Sequence, residues 1–246
     1  MKRPEQKGIV QEVWGDPATV LLIFAAASGE FALHKSVDWL FFTGKLPADP
    51  IGRMCTTLAY ARQIIFMDEQ GRSAAISKMN KIHGNVESKR KKRIPNWAYQ
   101  DVLFMLIAYS ISAYAQIKRE MSAEEKEELY AVFLKLGRDM HISNLPVTFE
   151  DWEKQRHEHL KSSYVFSLHS TDLYRSYRKR LGRLRYSLLL EMQSLLLPTE
   201  LRVSLPFVKS SFLSRSVCKK LLFSLLSTPL VFMFLPKQFK SVFSRF

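Results

Sequence analysis

Apolar residues recur at helical spacing along most of this chain, and few stretches alternate apolar and polar at period two. The clearest run is residues 49–87, DPIGRMCTTLAYARQIIFMDEQGRSAAISKMNKIHGNVE. Pro50 suits a first helical position, where its missing N–H loses no bond and its fixed φ fits. Leu58, Ala61, Ile64 and Ile65 then mark one apolar face, and Asp68-Glu69-Gln70-Gly71 supplies turn chemistry. Beyond the turn, Ala75, Ile76, Met79, Ile82 and Val86 form the stripe of a second helix. Two features break the apolar rule. Arg53 and Thr57 are four residues apart and share a face of the first helix. His83 is four residues after Met79 and seven after Ile76, so it points the way the apolar stripe points. Burying such groups is costly unless each finds a partner, which can be another side chain or a bound cofactor.

The same pattern predicts the other elements. Residues 1–16 read as a leader. Residues 18–33 predict a small-residue helix, apolar on most sides up to Ala27 and therefore buried between other helices. It falls short of the ~20 residues needed to span a bilayer, and Glu30 and His34 follow closely. Residues 37–42 are compatible with its continuation, and 44–50 with a loop. A helix starting near Asn96 carries Val102, Met105, Leu106, Tyr109 and Ala113 as its stripe. Ser122 with Glu125 predicts a capping box and a helix to about Met140. A short helix follows over 149–160. Thr171 is the candidate cap of the next one, which runs to Leu197 and is stopped by Pro198.

Composition changes this picture at two points. The chain has 246 residues and a formal charge of +14, which argues for an anionic neighbour: nucleic acid, an acidic lipid surface or an anionic ligand. Lys89, Arg90, Lys91, Lys92 and Arg93 form one basic block; Arg175, Arg178, Lys179, Arg180, Arg183 and Arg185 form another. After Glu200 there is no acidic residue, and residues 221–235 (LLFSLLSTPLVFMFL) are the most apolar run. That run suits a helix lying on an anionic membrane face or one packed on the protein, two readings that stand level. Cys55 and Cys218 set no disulfide framework, so reduced thiols in a cytoplasmic setting are expected.

The residues also resemble a known family, the MpaB and rubber-oxygenase (latex-clearing protein) catalytic domain. The resemblance is carried by an ordered series: DPIGRMCTT, IHGNVE, AYQDVLFMLIAYSI, SAEEKEELYAVFLKLGRDM, NLPVTFEDWEKQRHEHL, and the late LLLPTELR and FLPKQFK. It implies an all-α, globin-like helical bundle holding a b-type haem, whose iron activates dioxygen to cleave an isoprenoid double bond. By motif, His83 corresponds to the proximal iron ligand, and Arg53 and Thr57 to the distal or propionate side. A neutral imidazole is a suitable haem ligand. An arginine in a dry pocket can neutralise a propionate. There are two departures. Rubber-cleaving members carry an iron-capping lysine just before the threonine, where this chain has Thr56. They also use an acidic residue upstream; Glu30 is the one nearby carboxylate in an apolar setting, and its spacing does not tie it to that role.

The expected organisation is therefore an all-α oxygenase-like domain over residues 1–203 and an apolar, basic, helical C-terminal extension over 204–246. The expected activity is that of a haem-dependent oxygenase on a hydrophobic, isoprenoid or lipid-like substrate. The catalytic residues would be Arg53 and Thr57; His83 and Arg53 would hold haem b, with His83 on the iron. The partners would be a hydrophobic small molecule, dioxygen and a peripheral membrane contact. The location would be cytoplasmic, peripheral at a membrane. The alternative is a non-catalytic haem-binding or interaction protein at a membrane surface. Nucleic acid ranks last among partners, because no aromatic interleaving accompanies the basic blocks. Asp101 reads as a carboxylate holding a partner arginine or a histidine's second nitrogen, and at least as well as one favoured by its helix N-terminus. Glu153 and His157, with His159 and Glu158 beside them, read as a solvated face rather than a metal site. No nucleophile elbow or phosphate-binding glycine loop is present.

Overall fold

The computed structural model describes residues 8–42, 44, 48–206 and 208. Within them the chain is all-α: ten helices and no strand, with one isolated bridge between His34 and Tyr164. The helices are α1 (Ile9–Gly15), α2 (Pro17–Leu33), α3 (Val37–Phe42), α4 (Pro50–Phe66), α5 (Glu69–Arg90), α6 (Asn96–Ile117), α7 (Ala123–Asp139), α8 (Phe149–Ser162), α9 (Leu168–Leu196) and α10 (Thr199–Val203).

Helix starts follow local chemistry. Asp16 accepts from the Thr19 N–H with Pro17 at the first position, and Asp49 accepts from the Gly52 N–H with Pro50 at the first position. Ser122 and Glu125 make the expected capping box of α7. Thr148 caps α8 through the Asp151 N–H. Asp68 caps α5 through the Gly71 N–H (2.8 Å), so Glu69-Gln70-Gly71 is already helix and the expected turn contracts to Met67 and Asp68. Ser167, not Thr171, caps α9, because Ser167 and Ser170 satisfy each other's backbone donors.

The core is built around α2, which packs chiefly on α6 and α9. Its residues from Ala18 to Ala26 are buried all round, as a helix with no polar face requires. Gly29 sets how closely α9 approaches: a Cβ there would lie 2.9 Å from the Gln193 side chain and 3.0 Å from Leu197. α4 and α5 form a hairpin at the edge. Of the expected α5 stripe only Ala75 and Ile76 are fully buried, in a small satellite cluster with Ile64. The far end of α5 is anchored by Arg90, which pairs with Asp38 and lies over the Trp39 ring.

Three expectations are corrected. Residues 9–15 are not part of a leader but helix α1; Ile9, Val10, Val13 and Trp14 fall on one face and enter the core, a pattern too short to stand out among the polar residues around it. Residues 37–42 do not continue α2, because His34 turns its backbone out of the helix to bridge Tyr164. On α6, Val102 is exposed, and the buried side instead includes Leu103, Phe104 and Ile107. Helix α9 is broken at Gly182, where φ is +72° and ψ is 175°. Almost all of the C-terminal extension, and with it any helical tail, lies outside the described residues. Among the described residues no single helix is long and apolar enough to cross a membrane.

Trp14 is fully buried, donates to Ser110 Oγ at 3.1 Å and meets Phe24 edge-on. Trp14→Ala is expected to cost ~3–5 kcal/mol of unfolding free energy. Urea denaturation measures it; an unchanged midpoint would return this segment to a dispensable leader.

Candidate active site

Arg53 stands one turn into α4, where the Asp49 cap and Pro50 fix the start of the helix. Thr57 is one turn further on. His83 stands on α5, which the Asp68 cap and the short Met67-Asp68 turn fold back against α4. The structure brings Arg53 and His83 together. Burial holds the His83 imidazole below its ordinary pKa, and the nearby Arg53 charge lowers it further, against the opposing pull of Glu87. Burial likewise lowers Arg53. The His83 ring meets Tyr99 of α6 edge-on, with centroids 5.2 Å apart. Among the described residues neither nitrogen of His83 has a hydrogen-bond partner, and no carboxylate pairs with Arg53. Gly84 keeps the next position open, since a Cβ there would meet nothing within 4 Å. Thr57 is exposed, and its hydroxyl donates to the Arg53 carbonyl of its own helix at 3.1 Å; Thr56 does the same to Gly52 at 2.8 Å.

Two residues near His83 were not singled out from the sequence. Glu87 follows His83 by four and so lies on the same face of α5. It accepts from the Ile94 N–H at 2.8 Å and sits 3.5 Å from the Tyr99 hydroxyl. Burial, then Glu87, raises the Tyr99 phenol. The i,i+4 spacing of Glu87 was a legible signal; the approach of Tyr99 from another helix was not.

A second polar assembly lies in the core. Glu30 is fully buried, and Arg156 of α8 grips it with two bonds of 2.5 Å. Tyr109 donates to the same carboxylate at 2.5 Å, and Tyr164 donates to its other oxygen. Burial opposes the Arg156 charge, but the Glu30 carboxylate outweighs it and raises the guanidinium. Both tyrosines are pushed well above their ordinary values by burial and by Glu30. Every Glu30 oxygen is thus committed, and this carboxylate is not a free acid or base beside His83.

One turn along, Asp101 answers the question the sequence left open. It receives His34 Nε2–H at 2.8 Å and His159 Nδ1–H at 2.6 Å. The Ser36 hydroxyl (2.6 Å) and backbone N–H (3.4 Å) both face His34 Nδ1, so that nitrogen accepts and the ring is the neutral Nε2–H tautomer. Burial alone would raise the Asp101 carboxyl, but the hydrogen bonds from His159 and His34 hold it down at about 2. His159 therefore belongs to the core, while His157, Glu153 and Glu158 are exposed on the outer face of α8. Among the described residues no group of three or more His, Cys, Asp or Glu side chains is placed to hold a bare metal ion. The other thiol question is simpler: Cys55 is a buried free cysteine raised to about 11 by burial and by Asp49.

The α4–α5 hairpin thus sets a half-buried histidine beside a desolvated arginine. Comparison with known families makes the class definite. The model of the family "ER-bound oxygenase mpaB/B'/Rubber oxygenase, catalytic domain" matches residues 11–212, and the chain belongs to that family. It carries an oxygenase catalytic domain, for which a small-molecule substrate and dioxygen are the general reactants. No curated protein and no solved structure matches the chain.

Two predictions follow from the buried assembly. Glu30→Gln strands the Arg156 charge in the core and is expected to cost ~3–5 kcal/mol, whereas Glu30→Leu with Arg156→Leu costs less. Equal urea midpoints for the single and double variants would contradict this. Asp101 is depressed in the fold, so its contribution is complete above its ordinary 3.8 and fades as pH falls towards about 2. The stability advantage of the wild type over Asp101→Asn, on the order of 2 kcal/mol at neutral pH, should shrink across that acid window.

Proposed function

We propose that this domain is a haem-dependent oxygenase acting on a hydrophobic, isoprenoid or lipid-like substrate. The observation that carries the reading is the state of His83: a half-buried imidazole kept neutral by burial and by Arg53, with both ring nitrogens uncommitted among the described residues. A neutral imidazole is the form that could hold a haem iron. Arg53, desolvated and without a carboxylate partner among the described residues, is the complement of a propionate. The donor set therefore fits a b-type haem, with His83 holding the iron and Arg53 the acidic edge.

Haem b, when bound, supplies the iron that activates dioxygen. The protein's own contribution is position and charge. Glu87, four residues after His83, pulls against the depression of its pKa and tempers it, and Tyr99 supports the ring from the side. Thr57 spends its proton on the Arg53 carbonyl and keeps only acceptor capacity; donating to a substrate would mean giving up that bond. Glu30 is not part of this chemistry. A hydrophobic substrate dissolved in a membrane, with the domain on the cytoplasmic side and residues 204–246 as a membrane-facing extension of a 1–203 domain, belongs to the same proposal.

Added haemin should give a Soret band with the signature of histidine ligation, absent in His83→Ala. An identical spectrum in the variant would overturn ligation. Arg53→Leu should weaken haemin binding about tenfold or more, the size of a lost charge-assisted hydrogen bond. Because His83 is depressed below 6.5, its proton does not compete above that pH; binding should hold steady down to pH 6.5 and decline only below it. Oxygen uptake with an unsaturated isoprenoid separates the oxygenase from the alternative, a protein that binds haem without turning over.

A further inference from the structure

We propose that the break in α9 is a docking surface for an anionic membrane. Residues 175–185 read RSYRKRLGRLR, six basic residues with no acidic one. Arg175 is paired with Asp172 at 3.2 Å, and Arg180 donates to the Ala48 carbonyl. Arg178, Lys179, Arg183 and Arg185 have no carboxylate partner among the described residues. The chain after Glu200 contains no acidic residue and cannot supply one. Arg175 and Lys179 face each other at i,i+4, a like-charge arrangement that destabilises a helix by itself. Among the described residues the fold thus concentrates positive charge without neutralising it, an arrangement suited to an anionic partner.

The shape of the site selects which one. Gly182 adopts φ +72°, a conformation open to glycine, and breaks the helix in the middle of the cluster. Leu184 follows, 72 % exposed and set between Arg183 and Arg185. Leu181 and Tyr186, on either side, are half-buried against the core. An exposed aliphatic side chain ringed by cations suits a lipid leaflet, where the leucine enters the headgroup–acyl boundary and the cations meet phosphate and carboxylate. Nucleic acid would engage the same cations through its phosphates but would leave the exposed Leu184 without a role. The proposal does not depend on haem, and it places the contact on the folded domain, not on the extension.

The test uses the full-length protein and vesicles of phosphatidylcholine with or without phosphatidylserine, read by co-sedimentation. The wild type should bind the anionic vesicles, and added salt should weaken the binding. The triple variant Arg178→Gln, Lys179→Gln, Arg183→Gln, with unchanged helical circular dichroism, should lose binding roughly hundredfold, since each cation near an anionic leaflet strengthens attraction about fivefold. Leu184→Ser should weaken binding while leaving the salt dependence unaltered. The control triple Lys89→Gln, Lys91→Gln, Lys92→Gln removes equal charge from another face and should leave binding nearly intact. Unchanged binding in the α9 triple overturns the proposal, as does an equal loss in the control. So does a protein that ignores vesicles and binds duplex DNA through these same residues.

Discussion

Glu30 sits in the most apolar of the described helices, where an unpaired carboxylate would be too costly to keep ionised. Its partners come from elsewhere: Arg156 from α8, Tyr109 from α6 and Tyr164 from the segment after α8. Satisfying this one group therefore fixes three elements around α2. The demand is mutual, because Arg156 is as deeply buried as the carboxylate and has no other anion in reach among the described residues. The second rung, Asp101 between His34 and His159, ties α6 to the end of α2 and to α8 again, one turn further along the latter two. Apolar packing brings these helices together without specifying a register, whereas two stacked polar rungs admit one register only.

That arrangement leaves the α4–α5 hairpin in a different position. Its first helix is held in the main core by Ile51, Cys55 and Leu58, whereas α5 contributes only Ala75 and Ile76 to a small cluster with Ile64, Leu136 and Met140. Local opening should be cheapest there. The Arg90 anchor, which joins the end of α5 to Asp38 and Trp39 of α3, limits how far that hairpin can move.

Much of this was legible in the sequence. Proline and aspartate at the starts of α2 and α4, the Ser122 and Glu125 box, and the 3.6-residue apolar stripes give nearly all the helices, because those signals act within a few residues. The Arg53, Thr57 and His83 spacing likewise put three polar groups on the α4–α5 hairpin. What could not be read was any relation spanning the chain. Glu30 and Arg156 lie 126 residues apart, and either alone looks like a stray charge. His159 looked like part of an exposed face because its neighbours His157 and Glu158 are exposed; its partner Asp101 is on another helix. The α1 error had another cause. Four core residues in a seven-residue helix are too few to reveal a period, and Trp14 gains its place only from Phe24, Ser110 and Phe133.

The commitments of the other histidines sharpen the case for His83. A ligand to iron needs a neutral ring with a nitrogen to spare. His34 has both nitrogens occupied, by Asp101 and Ser36. His159 has Asp101 on one side and the Gln155 amide on the other. Freeing either would leave Asp101 short of a donor in the core, at a cost that a single coordinate bond would have to offset. His83 makes no such demand: burial and then Arg53 lower its affinity for a proton, its ring meets Tyr99, and nothing described competes for its nitrogens. Among the described residues His34 and His159 are committed to Asp101, whereas His83 carries no described hydrogen bond.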